Sequence, residues 1–546
     1  MSDPPNHRSL REGGTAREGE GADFPDPPPG TSGGGAPVRP DVTALFNWVS
    51  RQREQVLGWL DRIRSRKTGG DDPFNLNSVP LVADRLAGIA TGLLAMIVVD
   101  RYYGPAGLGV FAWFFSLLAV AGYLACYGIP LFVENRIARS PESADDTCAD
   151  ALAALLALGA GAMILCAGAA FSIAGPGRQG DDPVLYLLLG PTIFFQNINT
   201  LRSAMLNATG RYAAAAGLRI RQRIVFLAAT LVLCMADVPV PLLAAAFLIS
   251  QIVMAGAGRK TVRLPAVSAI LAGRKHMSQV MDKGRTFLFT DNLLDVVFYL
   301  DMLILGWFAS PMELGIYARA LILARLFLVV PGSLRPVFRR LANQRVAARL
   351  DHRLGMVIGS AARGLFFFHG VAAILVLLNF PRVMALVFGL QQWVGASFTV
   401  FALVLPGLIF FSAVTALEPV FEARQQAARL KRMTLVVATA NLILNVNLIP
   451  LAGIEGAAMA TAGAMLIHFF LFFRLLPPDL HTARISWPGA AAALYLTYAL
   501  MAFTGIGMIF SLVVVPALFA MVLWMVGFFN PQPGRVPMGH MPASST

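Results

Sequence analysis

Several arginines lie inside long apolar stretches of the sequence, where an ionised side chain is costly and suggests a function. Four of them are the candidates, Arg85, Arg319, Arg325 and Arg363. A further arginine, Arg202, lies near the end of its stretch, where a salt bridge or a contact with lipid headgroups is the expected role. A guanidinium group is permanently charged and can donate two parallel hydrogen bonds to phosphate oxygens, so such residues can bind a phosphate-bearing ligand. The alternative for each is a salt bridge or a side chain that extends to the lipid headgroups.

A single apolar stretch also carries three acidic residues, Asp291, Asp295 and Asp301. Asp291 and Asp295 are four residues apart and share a helix face. One hypothesis is that the carboxylates form salt bridges with the next stretch, Asp301 at the depth of Arg319 and Asp295 at that of Arg325. The other is that a carboxylate binds H⁺ or Na⁺ and so couples the protein to an ion gradient. The two hypotheses are compatible.

Amide side chains occur in two further stretches. They are Asn197 and Asn199 in the fourth stretch and Asn441 and Asn445 in the eleventh. Amides inside a membrane either hydrogen-bond a polar ligand or brace neighbouring helices, and bracing is the commoner role. The single histidines His369 and His468 are expected to pack rather than to bind a ligand.

Nothing in the sequence has the spacing of a catalytic or metal site. It contains no P-loop for ATP, no His/Cys/carboxylate cluster with metal spacing and no recognisable nucleophile–base pair. We therefore expect a protein that is not an enzyme and that has no catalytic residue, metal or cofactor.

The elements that must position these residues are about fourteen apolar stretches, each close to the roughly 20 residues that a spanning helix needs. This pattern predicts an all-α polytopic membrane protein. We place the spans at residues 80–99, 108–133, 150–174, 184–206, 213–236, 239–258, 286–307, 314–333, 356–379, 398–417, 433–451, 455–473, 488–506 and 508–528.

Composition and charge agree with a membrane protein. Hydrophobic residues make up 56% of the chain and charged residues 14%, against about 25% charged in soluble domains. The net charge of +13 comes mostly from Lys and Arg in alternate connections, which predicts that both termini are cytoplasmic. No basic stripe interleaved with aromatics indicates a nucleic-acid partner.

The segment before the first span has a different composition. Residues 1–42 are rich in Gly, Pro and charge, and we expect a disordered cytoplasmic tail. Residues 43–67 alternate apolar and basic side chains at helical spacing, which predicts an amphipathic helix on the membrane surface. The alternative is a helix that binds a partner protein.

The sequence contains an internal repeat. YYGPAGLGVFA at residues 102–112 is echoed by FASPMELGIYA at residues 308–318. This repeat predicts two parallel six-helix bundles, at residues 78–263 and 286–478. A cytoplasmic linker at 264–285 joins them, two additional helices follow at 487–529, and a cytoplasmic tail occupies 530–546.

Two of these segments carry a resemblance to a known family. LDMLILGWFASPMELGIYARA (residues 300–320) and NLILNVNLIPLAGIEGAAMATAG (residues 441–463) resemble segments of the polysaccharide flippases of the MOP superfamily. The resemblance covers about residues 78–478. The same superfamily holds drug/cation antiporters and the lipid II flippase. The long N-terminal segment departs from the pattern, and the resemblance implies that it is a candidate for binding other polysaccharide-assembly proteins.

The resemblance implies that a polyprenyl-pyrophosphate-linked oligosaccharide moves across the bacterial inner membrane by alternating access. The cargo would supply exopolysaccharide, capsule or O-antigen (lipopolysaccharide) synthesis. It also implies a cationic central cavity, with Arg85, Arg319, Arg325 and Arg363 as substrate-binding residues. Asp291, Asp295 and Asp301 are then ion-coupling candidates, and Asn197, Asn199, Asn441 and Asn445 are polar cavity candidates.

Four other functions stay open at this point. A lipid II flippase shares the cationic cavity, and a drug or cation antiporter predicts an acidic, aromatic one. A polysaccharide polymerase or ligase needs a larger outward loop than the sequence offers. A membrane scaffold without transport activity would make use of the N-terminal segment.

Overall fold

The structure is a computed structural model that describes residues 79–525 and residue 528. It omits 141, 143, 174–181, 260, 263–264, 266–267, 269–275, 289–292, 348–350, 390–393, 478–479, 481–486, 505–507 and 526–527. The predicted tails and the predicted amphipathic helix at 43–67 lie outside the described residues.

The described chain is built of helices and includes a short 3₁₀ helix (Val240–Leu243) after α5. In chain order the α-helices are α1 (Val79–Cys126), α2 (Ile129–Arg139), α3 (Ala144–Ile173), α4 (Pro183–Ala208), α5 (Tyr212–Met235), α6 (Ala244–Gly258), α7 (Met277–Leu288), α8 (Leu293–Phe308), α9 (Pro311–Leu326), α10 (Val329–Ala347), α11 (Asp351–Leu378), α12 (Phe380–Phe388), α13 (Val394–Thr415), α14 (Pro419–Ala423), α15 (Ala427–Leu475), α16 (Trp487–Thr504) and α17 (Met508–Met525).

The two longest helices are each broken once by a glycine. Gly104 in α1 has φ 69° and Gly453 in α15 has φ 53°, a region that favours glycine because it has no Cβ. In the second copy of the repeat, Ser310 caps α9: the Glu313 N–H donates to Ser310 Oγ at 3.3 Å, and the Ser310 N–H donates to Glu313 Oε2 at 2.7 Å. The repeated motif therefore marks a chain break in both copies.

The helices account for the predicted spans. Each predicted span falls on a helix, on part of a broken helix or on two successive helices. Seven helices of the described chain are long and apolar enough to cross a membrane, and α9 with α10 forms a further pair bent by 42°. The predicted all-α polytopic class is confirmed, while the number of fourteen spans and the bundle boundaries remain predictions.

The helices pack into two groups. Helices α1 to α6 pack mainly on one another, with α1 against α5 and α4 against both α3 and α6. Helices α8, α9, α11, α13 and α15 form the second group, with α13 and α15 at its centre. The groups meet chiefly where α1 packs against α8 and α9.

The two copies of the repeat contact each other at this meeting point. A Cβ on Gly109 would overlap the Pro311 carbonyl, and a Cβ on Gly315 would overlap the Pro105 carbonyl. Small residues let two helix backbones approach closely inside a membrane. We call this region, residues 100–113 with residues 306–319, the sealed end.

A buried ion pair also joins the two groups there. Arg319 Nε lies 2.9 Å from Asp100 Oδ1, with side chains 1% and 0% exposed. The pair holds α9 to α1, because each charge is satisfied by a partner from the other group.

Candidate functional site

A cavity of 660 Å³ lies between the two helix groups, and we call it the central cavity. Its wall includes Gly88, Gly92 and Met96 of α1, and Tyr299 and Arg325 from α8 and α9. These α1 residues precede the break at Gly104, and Arg325 is near the C-terminal end of α9. The cavity therefore lies away from the sealed end.

Two arginines from opposite groups line the central cavity, Arg223 of α5 and Arg325 of α9. The Arg325 guanidinium carbon lies 4.5 Å from the centroid of the Tyr299 ring, within the range of a cation–π contact. Most of the remaining wall is apolar. Two permanent positive charges in such a wall favour an anionic ligand.

Asp84 holds Arg223 in place. Arg223 Nη1 lies 2.5 Å from Asp84 Oδ1 and also donates to the Asp84 carbonyl oxygen. Arg219, one turn earlier on α5, bonds the other carboxylate oxygen at 2.7 Å. Gly88 leaves room for this guanidinium, because a Cβ there would lie 2.6 Å from Arg223 Cζ.

Asp301 lies beside the central cavity in a buried polar site. Its Oδ2 accepts hydrogen bonds from the Tyr317 hydroxyl at 2.5 Å and from the Thr461 hydroxyl at 3.0 Å. Asp301 and Thr461 also line a cavity of 200 Å³ together with Tyr299 and Arg325. A carboxylate and a guanidinium thus face the same small space.

A third cavity, of 440 Å³, lies among α2, α4, α5 and α6, and we call it the amide pocket. Its polar lining comes from neutral amides and hydroxyls with one carboxylate, Glu134, and one guanidinium, Arg219. The amides are Gln196, Asn199, Asn207, Gln222 and Gln251, and the hydroxyls are Thr200 and Ser203. Gln196 and Phe247 line the central cavity as well, so the two cavities adjoin.

The structure places the four predicted arginines differently from one another. Arg325 lines the central cavity. Arg319 is buried against Asp100 at the sealed end, and its guanidinium carbon lies 5.8 Å from the Phe388 ring centroid. Arg363 Nη1 is buried without a hydrogen-bond partner among the described residues, and Arg363 lines none of the three cavities described above. The side chain of Arg85 lies outside the described part.

The structure describes the side chain of one of the three predicted acidic residues, Asp301. Asp291 and the Asp295 side chain lie outside the described residues. Asp301, expected at the depth of Arg319, instead bonds Tyr317 and Thr461, because the Arg319 guanidinium extends across to Asp100 on α1.

The four predicted asparagines make different contacts. Asn199 lines the amide pocket and donates to the Gln251 side-chain oxygen at 2.8 Å. Asn197 donates to the Leu155 carbonyl at 3.2 Å and so links α4 to α3. Asn445 donates to Asn441 Oδ1 at 3.0 Å within α15.

The two histidines have polar contacts that the sequence did not predict. His468 Nε2 lies 3.0 Å from Glu418 Oε1, and Glu418 Oε2 lies 2.9 Å from Arg335. His369 contacts the Phe327 carbonyl at 2.8 Å. Both histidines are buried, and their contacts tie helices of the second group together.

Sequence reasoning missed Arg219 and Arg223, which it assigned to the charges that orient the connections. Two signals were present. The arginines are four residues apart and so share a face of α5, and the first apolar stretch contains a carboxylate, Asp84, next to Arg85. An acid in one span and two bases on one face of another indicate a pairing inside the bundle.

Comparisons with known sequences agree with this architecture. Residues 85–341 match the family described as Polysaccharide biosynthesis protein. The probable flippase AglR of Haloferax volcanii is 29% identical over 196 residues, which cover 35% of this chain and 40% of that protein. The chain thus spans less than half the length of this relative. The probable low-salt glycan biosynthesis flippase Agl15 of the same organism is 24% identical over 395 residues, 71% of this chain and 80% of that protein.

A solved structure shares the fold. Lipid II flippase MurJ in an inward closed conformation matches with a TM-score of 0.64 at 15% identity, covering 83% of this chain and 98% of that one. The sequence similarities confirm the resemblance to polysaccharide flippases, and the solved structure confirms the fold. The two curated relatives are named as probable flippases and not as enzymes, in agreement with the prediction of a protein that is not an enzyme.

Proposed function

We propose that this protein translocates an oligosaccharide linked through pyrophosphate to a polyprenyl lipid, from the cytoplasmic to the outer leaflet of the bacterial inner membrane. The cargo supplies the synthesis of exopolysaccharide, capsule or O-antigen. The observation that carries the proposal is the pair Arg223 and Arg325, which line one cavity from opposite helix groups.

The arginine pair suits a pyrophosphate for two reasons. Each guanidinium offers several N–H donors in a plane that matches phosphate oxygens. Because the two arginines come from different groups, one pyrophosphate between them links both groups to the cargo. The names of the two Haloferax volcanii relatives, a probable flippase and a probable glycan biosynthesis flippase, support a lipid-linked glycan as cargo.

The proposed mechanism is alternating access by rocking of the two groups. The sealed end is closed by the contacts of Gly109 and Gly315 and by the pair of Arg319 with Asp100, while the central cavity lies toward the opposite end. The distribution of Lys and Arg orients that opposite end to the cytoplasm. Cargo enters the cavity there, and parting of the sealed end releases it to the other side.

Asp301 is the ion-coupling residue in this proposal. Its carboxylate and Arg325 line the same small cavity, so a negative Asp301 competes with the cargo phosphate for the arginine. Binding of H⁺ or Na⁺ to Asp301 removes that competition. Cation binding and cargo binding then favour each other.

The proposal is tested with the full chain in proteoliposomes, by measuring transfer of lipid-linked oligosaccharide between leaflets. Charge-assisted hydrogen bonds contribute about 1.5–3 kcal/mol each. We therefore expect Arg325→Ala and Arg223→Ala each to reduce transport by about 10- to 100-fold. Substantial activity in the Lys variants would show that charge matters more than the geometry of the guanidinium fork. Arg221→Ala is the matched control, because Arg221 lies on the same helix two residues from Arg223 and is exposed.

Unchanged transport in both alanine variants would sink the assignment. Transport that no longer responds to an H⁺ or Na⁺ gradient in Asp301→Asn supports coupling at that residue, and a normal response excludes it. Deletion of the gene separates the remaining candidates. Cytoplasmic accumulation of a lipid-linked oligosaccharide with loss of surface polysaccharide fits a polysaccharide flippase, and trapped lipid II fits the lipid II flippase. Normal surface polysaccharide with altered drug susceptibility fits the antiporter.

A further inference from the structure

We infer that the amide pocket binds the sugar units of the cargo while the cargo phosphates lie between Arg223 and Arg325. This inference rests on the proposed function and assigns a separate part of the substrate to each cavity. It comes from the chemistry of the pocket lining, from acceptor atoms that have no partner, and from the way the two cavities adjoin.

The lining of the amide pocket matches a neutral polyhydroxyl ligand. Five carboxamides and two hydroxyls face one space from three helices, α4, α5 and α6. Inside a membrane such groups are costly unless they have hydrogen-bond partners. Carboxamides both donate and accept hydrogen bonds without carrying charge, which suits sugar hydroxyls and acetamido groups. The central cavity contrasts with it, since its wall is mostly apolar around two arginines.

Three acceptor atoms of this lining have no hydrogen-bond partner among the described residues. They are Gln196 Oε1, Asn199 Oδ1 and Asn207 Oδ1, and all three atoms are buried. Asn199 as a whole is 3% exposed. An unpaired buried acceptor costs free energy that a donor from a ligand would recover. The pocket therefore offers several acceptors to a ligand that carries several O–H or N–H donors.

Charge argues against a cation or a second phosphate as the occupant. The single carboxylate, Glu134, lies 3.5 Å from the Asn207 amide nitrogen, and the pocket also contains the Arg219 guanidinium. The carboxylate and the guanidinium offset each other within this lining, so its charges favour neither a metal ion nor a phosphate.

The position of the pocket fits the covalent order of the cargo. In a lipid-linked oligosaccharide the pyrophosphate joins the lipid on one side and the first sugar on the other. Gln196 and Phe247 line both cavities, so a glycan attached to a phosphate between Arg223 and Arg325 reaches the amide pocket past these two residues. Gln196, with its unpaired Oε1, lies at the passage and is placed to contact the first sugar.

The test compares two cargoes in the proteoliposome assay of the full chain. One is the polyprenyl-diphosphate oligosaccharide that accumulates in the deletion strain, and the other is the same carrier trimmed to its first sugar. The variants are Asn207→Ala and the double variant Asn207→Ala with Gln196→Ala. Asn447→Ala is the matched control, because Asn447 is exposed and donates only to the Ile443 carbonyl of its own helix among the described contacts.

Each lost hydrogen bond contributes about 0.5–1.5 kcal/mol. Asn207→Ala is therefore expected to raise the apparent KM for the oligosaccharide by about 5-fold and to leave the KM for the one-sugar carrier within about 2-fold. The double variant, which also loses the contact to the first sugar, is expected to raise the KM for the oligosaccharide by about 10-fold or more. A KM that changes equally for both cargoes in Asn207→Ala, or for neither, overturns the inference while leaving the flippase proposal intact. If the wild-type protein transfers neither cargo, the proposed function fails and the inference fails with it.

Discussion

The two ends of the molecule use similar residues for opposite purposes. At the sealed end, Arg319 and Asp100 pair across the two helix groups with 1% and 0% of their side chains exposed. At the cavity end, Arg219 and Asp84 pair within one group with 22% and 11% exposed. The first pair closes a contact, whereas the second fixes arginines at the edge of an open space.

The difference follows from what surrounds each pair. The glycines of the repeat bring α1 and α9 into backbone contact at the sealed end, which excludes other partners for the charges. At the cavity end, Gly88 and Gly92 of the same helix α1 line the central cavity, and a Cβ on Gly92 would meet nothing within 4 Å among the described residues. Glycine thus permits close packing in one place and makes room for a ligand in the other. The burial of each charge, more than its identity, determines what its removal costs.

The largest expected effect comes from breaking the charge pair of the sealed end. Removing one partner of a buried pair leaves the other charge without compensation, at a cost of about 3–5 kcal/mol. We expect Arg319→Met to lower the free energy of unfolding in detergent by that amount. Arg219→Met should cost about 1 kcal/mol or less, since this pair is partly exposed and Asp84 keeps Arg223.

The double variant Asp100→Leu with Arg319→Met is the control for this comparison. Replacing both charges by apolar groups is often close to neutral, so most of the lost stability should return. Equal losses in the two single variants would show that the ends do not differ in the way the burial indicates.

A smaller effect is expected from adding a methyl group to a glycine at the sealed end, Gly315 of α9, or at the cavity end, Gly92 of α1. A Cβ on Gly315 would overlap the Pro105 carbonyl, whereas Gly92 has nothing within 4 Å of its Cβ position. Overpacking typically costs about 1–3 kcal/mol, and Gly→Ala in an open helix position gains about 0.5–1 kcal/mol. Gly315→Ala should therefore lower the free energy of unfolding, and Gly92→Ala should leave it unchanged or raise it.

Gly109→Ala is a second test of the same contact, because its Cβ would overlap the Pro311 carbonyl in the other copy of the repeat. Similar losses for Gly109→Ala and Gly315→Ala are expected from a reciprocal contact. A loss in only one of them would contradict reciprocity.

The sequence predicted the features that depend on local chemistry. Apolar stretches of spanning length, the repeat around Gly104 and Ser310, and the rarity of charges such as Arg325 and Asp301 inside spans can all be read from neighbouring residues. These features lead directly to an all-α membrane fold and to one of the two arginines of the central cavity.

The remaining features depend on how helices are rotated against each other. Arg319 and Arg325 lie on the same helix, yet one is buried in the sealed end and the other lines the cavity. The amide pocket joins residues as distant in the chain as Glu134 and Gln251. When a helix lacks a clear polar face, its hydropathy pattern does not indicate which side faces which neighbour. The sequence therefore predicted neither the amide pocket nor the pairing of Arg319 with Asp100.

The smallest expected effect comes from removing an amide that links helices, Asn197, compared with one whose described hydrogen bonds stay within its own helix, Asn445. Asn197 donates to the Ala125 carbonyl at 3.4 Å and to the Leu155 carbonyl at 3.2 Å, so it joins three helices, whereas Asn445 donates to Asn441 of its own helix. Interhelical side-chain hydrogen bonds in membrane proteins contribute about 0.6 kcal/mol on average. Asn197→Leu should lower the free energy of unfolding by about that much without changing the preference between long and short cargo, and Asn445→Leu should cost less. A change of cargo preference in Asn197→Leu would move Asn197 into the pocket and extend the glycan site toward α3.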